Sequence, residues 1–415
     1  MRIAIIGSGI SGLAAGWYLS RKHEVSLFEK DSRLGGHTNT VKVENGGNPV
    51  AVDTGFIVHN DRTYPNLVRL LSELGVETQP SDMSFSVTCR RTGFEYSSRG
   101  INGFFAQRSN LVRAEHYRLL AEILRFNRTG LKLLARPGTE TETIGDLLDE
   151  GRYHPVFAER YLLPMASAVW SMSFVAIRSF PALTLLRFFQ NHGMLGINTH
   201  PKWKVIRGGS HKYIPLLIAP FKDRVFLGAR ITSVSRQESG VTLHFEDRPA
   251  IDFDQVVIAC HGDQVLPLLE RPTDAEREVL GDFKTSRNVA TLHTDSSLLP
   301  RRLTACASWN YNLGLSEKNA VAVTYFMNRL QSLKMAEDYC VTLNGEDWID
   351  PAKVLRKIVY HHPLYTQEAV RAQSRWSEIS GRKRTHYCGA YWFYGFHEDG
   401  LNSALRVARA LSVEC

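Results

Sequence analysis

The sequence predicts an α/β protein of two domains, one built on a parallel sheet and the other on a mixed sheet covered by helices. Three observations predict it. The first thirty residues read strand, helix, strand, with a glycine-rich turn between the first two. Residues 225–260 switch to closely spaced short strands. A second glycine-bearing segment then precedes a helical pattern at 400–413. The segments of the first domain are scattered, so the expected division is discontinuous. It gives 1–60, 203–285 and 380–415 to the parallel-sheet domain, and 61–202 and 286–379 to the other.

Taken in order, Arg2-Ile3-Ala4-Ile5-Ile6 is a short apolar run of the kind buried on both faces of a parallel sheet. Ser11 to Ser20 is helical, and Glu24 to Glu29 is a second strand. Residues 62–75 form a helix with Leu67, Leu70, Leu71 and Leu74 on one face, stopped by Gly75. Residues 110–135 form a longer amphipathic helix. Its expected apolar stripe is Leu119, Leu120, Ile123, Leu124 and Leu131, against Arg113, Arg118, Arg125, Arg128 and Lys132. Strands follow at 225–227, 231–234, 241–245 and 256–259, and further β-rich stretches at 289–294 and from Ala320 to Met327.

The 415 residues are 43% hydrophobic and 22% charged, which suits a chain that buries a large core and excludes disorder as the default. The six cysteines make no CxxC pair, and their spacing fits neither a zinc site nor a small disulfide framework. Reduced thiols in a cytoplasm are the simplest account. The apolar first 20 residues lack the charged leading region of a secretory signal, and their glycines have another use. No uncharged apolar run reaches the length of about 18 that a spanning helix needs. The net charge of +8 favours anionic partners, with plain solubility as the competing reading. No nucleic-acid motif accompanies it, so no sequence-specific nucleic-acid contact is expected.

The strongest motif is Gly7-Ser8-Gly9-Ile10-Ser11-Gly12. Gly7 permits the tight strand-to-helix turn, Gly9 lets the backbone approach a pyrophosphate, and Gly12 lets helix and sheet pack closely. The phosphates then sit on the helix N-terminus at Ile10 and Ser11. Glu29 lies 20 residues after Gly9, where a carboxylate can accept from ribose hydroxyls.

Glu29 and Lys30 are followed by Arg33-Leu34-Gly35-Gly36-His37-Thr38-Asn39-Thr40. This resembles the R-x-G-G-R-x-x-T signature of the FAD-dependent amine oxidase, protoporphyrinogen oxidase and phytoene desaturase superfamily, with His37 where Arg is usual. Val52-Asp53-Thr54-Gly55, followed by Phe56, resembles the D-x-G turn that runs under the flavin; a purely local Asx turn is the competing reading of Asp53. Arg207-Gly208-Gly209-Ser210 resembles the family's glycine turn before its returning strands. Val225 to Val234 resembles the strand pair whose backbone, near Ile231, holds the adenine, and Asp254 to Ala259 the strand that completes the nucleotide sheet. Tyr387-Cys388-Gly389 and the run Gly395-Phe396-His397-Glu398-Asp399-Gly400-Leu401 resemble the closing motif. The resemblance implies non-covalent FAD on a glutathione-reductase-like Rossmann domain, with backbone N–H groups near Gly400 and Leu401 facing the isoalloxazine. Segments 53–58, 81–87 and 307–311 also resemble a bacterial group of predicted NAD/FAD-binding proteins.

The catalytic residues are less defined. Tyr391 opens an aromatic run, Tyr391-Trp392-Phe393-Tyr394, that either flanks a flavin face or packs a core. The resemblance to amine oxidases implies a Lys before a substrate-domain strand, but Asn288-Val289-Ala290-Thr291-Leu292 carries none, and Lys284 is the nearest. Among histidines His192, His200, His293, His361, His362 and His397, His293 and His397 lead as acid/base candidates. His361-His362 lacks metal-binding helical spacing, and no metal is expected. These readings favour an FAD-dependent dehydrogenase or desaturase of a small or lipid-like substrate. Amine oxidation and non-redox isomerisation stand as alternatives. The basic helix at 110–135 and the apolar stretch from Phe180 to Gly196 suggest peripheral contact with an anionic membrane on the cytoplasmic side, with a solvated helix face as the competing account.

Overall fold

The computed structural model describes residues 1–44, 46–47, 49–135, 142–196, 199–314 and 322–414. Arg2–Ile6 is a strand whose Ile3, Ala4 and Ile5 are fully buried, as its uninterrupted apolar run requires. It lies at the centre of a five-stranded sheet, parallel throughout, in the order Val225–Phe226, Glu24–Phe28, Arg2–Ile6, Gln255–Ile258, Thr385–Tyr387. Three distant stretches of the chain therefore build one sheet. The chain reverses its direction of strand addition beside Arg2–Ile6, where ligands bind in open α/β sheets.

The helix Ile10–Leu19 is apolar nearly all round and buried, because the C-terminal helix His397–Ala410 covers its outer side. Gly400 sets their separation: a Cβ there would stand 2.6 Å from Ile10 Cγ2.

The second large sheet has seven strands, ordered Val354–Leu364, Lys284–His293, Cys340–Leu343, Val323–Phe326, Trp309–Leu313, Phe85–Cys89, Phe94–Ser97. All its pairings are antiparallel except Trp309–Leu313 with Phe85–Cys89. Helices cover it, with a core around Phe126, Phe157, Trp170, Phe180 and Phe189. A three-stranded antiparallel sheet, Ile231–Arg236, Val241–Phe245 and Ile251–Phe253, joins the parallel sheet through contacts of Phe28 with Phe245 and Phe253.

Several local expectations shift. The helix expected over 62–75 is Pro65–Glu73, since Pro65 fits its first position. The long helix is Ala114–Leu134, and its buried positions are His116, Leu119, Glu122, Phe126 and Gly130; Leu120 and Leu131 face solvent. The buried stripe follows the helix against Ala182–Asn191, where Gly130 meets Leu186. The C-terminal helix begins at His397, three residues before Gly400, because the Asp399 carboxylate accepts the Phe396 N–H at 2.9 Å and caps the first turn. The expected start of a strand at Ala320 lies outside the described residues, as does Cys415; the strand there is Val323–Phe326. Among the described residues, no helix is long and apolar enough to cross a membrane.

Candidate active site

Four turns converge at the C-terminal end of Arg2–Ile6. Gly7 adopts φ +103°, and a Cβ there would sit 2.9 Å from the Ala259 carbonyl oxygen. At Gly12 a Cβ would overlap the Gly7 carbonyl oxygen, at 1.9 Å. Gly9 differs: nothing lies within 4 Å of the position its Cβ would take. Gly9 also begins the helix without a side-chain cap, so the first N–H groups, at Ile10 and Ser11, open onto that space. This is a cradle shaped for a pyrophosphate.

Glu29 is buried at its edge. Its carboxylate accepts from the Ser8 N–H at 2.9 Å, the Ser8 hydroxyl at 2.5 Å and the Asp31 N–H at 3.0 Å. Roughly one of about four lone-pair sites remains for a ribose hydroxyl. Lys30 is exposed beside it. The Ala229 N–H donates to the Glu29 carbonyl at 2.8 Å, which brings Ile231 toward Glu29; the Ile231 N–H is already committed to the Ala229 carbonyl at 3.1 Å.

The second glycine pair closes over the first. The Gly35 N–H donates to the Ser8 carbonyl at 3.0 Å, and a Cβ at Gly36 would lie 3.2 Å from Gly9 Cα. Arg33 donates to the Gly36 carbonyl at 2.8 Å and so braces its own loop. The turn at 53–56 docks beneath, with the Phe56 N–H on the His37 carbonyl at 2.8 Å and Gly55 packed on the same group. Asp53 is fully buried and holds this turn: its carboxylate accepts from Thr40, Gln331, and both the N–H and hydroxyl of Ser210. Burial pushes its carboxyl up to about 6 against those hydrogen bonds. The Arg207–Ser210 turn is thus the partner of Asp53.

His37 stacks on Tyr360 at 4.9 Å and lies within 5.2 and 5.6 Å of the His362 and His261 rings. Burial, followed by the neighbouring His362, holds His37 well below the usual imidazole range. Its Nε2 is buried and has no hydrogen-bond partner among the described residues. A polar atom left open beside the glycine loops fits a site completed by a ligand. Tyr360 accepts from Asn39 at 3.0 Å and shares a hydrogen bond with Thr54 at 2.9 Å, so the seven-stranded sheet contributes directly to the loops at 33–40 and 53–56.

On the other side, His397 stacks on Phe56 with ring centres 3.5 Å apart, and its Nε2 meets Thr38 at 2.9 Å and Tyr213 at 3.1 Å. Burial lowers it to about 3, so this imidazole is neutral at working pH. A cleft of roughly 390 Å³ opens alongside, walled by Phe188, Phe396, Tyr394 and His192, with Arg62 also on its lining. Phe188 stacks on Phe396 at 5.1 Å and on His192 at 3.9 Å. Glu398 and Asp399 line it too, yet their carboxylates are used within the protein. Glu398 accepts from the Asn66 and Leu67 N–H groups at the start of Pro65–Glu73, and Asp399 from Phe396.

Three expectations need correction. His293 is fully buried within the seven-stranded sheet, its Nε2 on Thr342 at 2.7 Å and its Nδ1 accepting from the Asp295 N–H at 3.1 Å, so it braces strands rather than facing the glycine turns. Tyr391 packs on Phe283 at 4.7 Å and beside Trp392 in the core of the parallel-sheet domain. It follows Gly389, whose missing side chain leaves it room: a Cβ would be 2.3 Å from Tyr391 Cε1. The Gly400 N–H is spent on the Phe396 carbonyl at 3.0 Å, and Gly400 and Leu401 lie past the helix start. The open N–H groups of that N-terminus are those of His397 to Asp399. Lys284 begins its strand exposed. Sequence reasoning missed Tyr213, His261 and Tyr360. They stand beside the recognised segments 207–210 and 254–259 and the pair His361-His362, yet the partners that give them a role lie far off in sequence.

Residues 10–297 match the family described as flavin containing amine oxidoreductase. Among solved structures, the chain is similar to cyclohexylamine oxidase from Brevibacterium oxydans IH-35A, at TM-score 0.73 and 16% identity, covering 99% of this chain and 98% of that one. It is also similar to a CLA-producing fatty acid isomerase from P. acnes, at TM-score 0.71 and 15% identity, over 98% of each chain. At such identities the likeness concerns the fold. Curated relatives match over about a tenth of their length; the 4,4'-diapophytoene desaturase of Staphylococcus aureus (strain Newman) is 49% identical over 43 residues, 10% of this chain and 9% of that protein.

Proposed function

From the premise that the chain belongs to the flavin containing amine oxidoreductase family, and so is an FAD-dependent oxidoreductase, we propose that it is a dehydrogenase or desaturase of a hydrophobic, electrically neutral carbon chain, fatty-acyl or phospholipid in kind. The observation that carries this reading is the wall of the cleft beside His397. One wall is aromatic, from Phe188, His192, Tyr394 and Phe396, while Thr63, Asn66, Asn191 and Asn402 add neutral polar groups; the His192 imidazole is held near 4 by burial, and the two carboxylates are consumed by backbone N–H groups. An ammonium substrate would meet Arg62 and no free anion there, which disfavours an amine.

Bound FAD supplies a hydride acceptor. The chain's own residues do the rest. Gly9, Ile10 and Ser11 receive the pyrophosphate, and Glu29 the ribose. The open N–H groups at the start of His397–Ala410 would favour negative charge on a cofactor held there. Phe188 and Phe396 exclude water and orient an apolar chain.

Anaerobic mixing with phospholipid vesicles tests the reading. Bleaching of the flavin bands, with a product two hydrogens lighter in mass, is the expected result. Bleaching by amines alone would move the assignment to amine oxidation. An isomerised double bond without net bleaching would move it to non-redox chemistry.

A further inference from the structure

The segment Arg99–Arg118 and the loop at 301–303 form one surface. Arg99 donates to the Leu303 carbonyl at 3.4 Å and the Ser97 hydroxyl to the Thr304 carbonyl at 3.0 Å, which ties the two stretches together. The segment is anchored from within: His116 is buried, packs on Phe104 at 4.1 Å, and bonds its carbonyl at 2.8 Å. Tyr117 donates to the Leu111 carbonyl at 2.9 Å. This is a built surface held on the helix Ala114–Leu134.

Its apolar tips point outward. Ile101 is 81% exposed, Val112 88% and Leu303 86%, among the largest exposures of any large hydrophobic residue described. Around them stand the exposed arginines Arg99, Arg108, Arg113, Arg118 and Arg301. Between 99 and 118 the single acidic residue is Glu115, and it is paired with Arg160 at 2.8 Å. Glu95, below the loop, is paired with Arg302 at 2.9 Å. The surface therefore presents isolated aliphatic tips in an uncompensated cationic field.

We propose that this face docks the protein on an anionic phospholipid surface, with Ile101, Val112 and Leu303 entering the interface and the arginines meeting the headgroups. Isolated aliphatic tips among arginines match the boundary between acyl chains and anionic headgroups. A protein partner would instead call for a contiguous, closely packed apolar centre, which these separate tips do not make. The docking element is the 99–118 segment with 301–303, rather than the length of the long helix. None of the three tips lines the cleft, so docking stands apart from the choice of substrate.

Flotation of the FAD-loaded protein with vesicles of phosphatidylglycerol and phosphatidylcholine, read without turnover, tests it. Binding is expected at low salt on phosphatidylglycerol vesicles, weakened at least tenfold by the triple substitution Ile101→Glu, Val112→Glu and Leu303→Glu, and little changed by Arg128→Ala with Lys132→Ala. The flavin spectrum of each variant confirms that it is folded. Absence of binding by the unmodified protein, equal binding by the triple variant, or a solution dimer that the triple variant dissolves would each overturn the proposal.

Discussion

Gly9 and Gly12 stand three positions apart and answer oppositely to a side chain. Gly12 has the Gly7 carbonyl where its Cβ would go, whereas Gly9 has ordinary dihedral angles, φ −65°, and open space. Gly12→Val is expected to abolish soluble folded protein. Gly9→Val should keep the far-ultraviolet circular dichroism of the parent and lose at least tenfold in FAD affinity, about 1.4 kcal/mol or more. Asp399 gives a second residue-level expectation. Burial raises its carboxyl to about 7, so the folded state binds a proton that the unfolded chain releases near pH 4. Its contribution therefore declines as pH rises from about 4 through 7 and is flat beyond. Asp399→Asn keeps the acceptor for the Phe396 N–H and removes the titration, so its stability relative to the parent in urea unfolding should rise between about pH 4 and 7 and level off above. At this scale the glycine turns and Glu29 were readable in the sequence because their spacing is local. Tyr360 and Tyr213 were not, because the partners that give them meaning, Thr54 and His397, lie 306 and 184 residues away.

At the level of elements, one buried ion pair joins three of them. Arg236, on the three-stranded sheet, pairs with Glu276 on the helix Asp274–Gly281, and both side chains are almost wholly enclosed. Tyr387, at the end of the last parallel strand, donates to the same carboxylate at 2.6 Å, and Glu276 also caps its own helix through the Thr273 N–H at 2.7 Å. Glu276→Ala would leave a guanidinium and a phenol without their acceptor, and a loss of about 3–5 kcal/mol is expected in equilibrium unfolding. Tyr387→Phe, which removes one hydrogen bond and keeps the pair, should cost about 1–2 kcal/mol. Element identity was largely legible, since periodicity and stop residues are local. Facing was less so. Leu120 and Leu131 share the composition of buried leucines, and only the position of Ala182–Asn191 decides that Phe126 and Gly130 turn inward instead.

Across the whole molecule, acid is the stress the fold is least prepared for. Burial holds His59, His192, His293, His362 and His386 near 4, and His397 near 3. Each folded-state value lies below the unfolded one, so the stability they confer is present above about pH 6.5 and drains away as pH falls toward 4. The raised carboxyls of Asp53 and Asp399 pull the other way but are fewer. Thermal unfolding midpoints should drop steeply from pH 6.5 to 4.5, and a flat profile there would contradict the buried, neutral state of these rings. The topology itself was readable at one end and opaque at the other. A strand, glycine turn and helix announce a parallel sheet, but nothing local says that Thr385–Tyr387 joins its far edge.

That last strand governs the order in which the protein can be made. As the chain leaves the ribosome, Gln255–Ile258 can join Arg2–Ile6, yet its other edge waits until residue 387 emerges. At ~5–20 residues per second, the intervening stretch takes on the order of 6–26 seconds to synthesise. For that interval the nascent chain carries an open strand edge, and the helix His397–Ala410 that covers Ile10–Leu19 is still unmade. The glycine turn is therefore synthesised long before the strand and helix that close over it, and a product truncated before Thr385 would carry that turn without its covering wall.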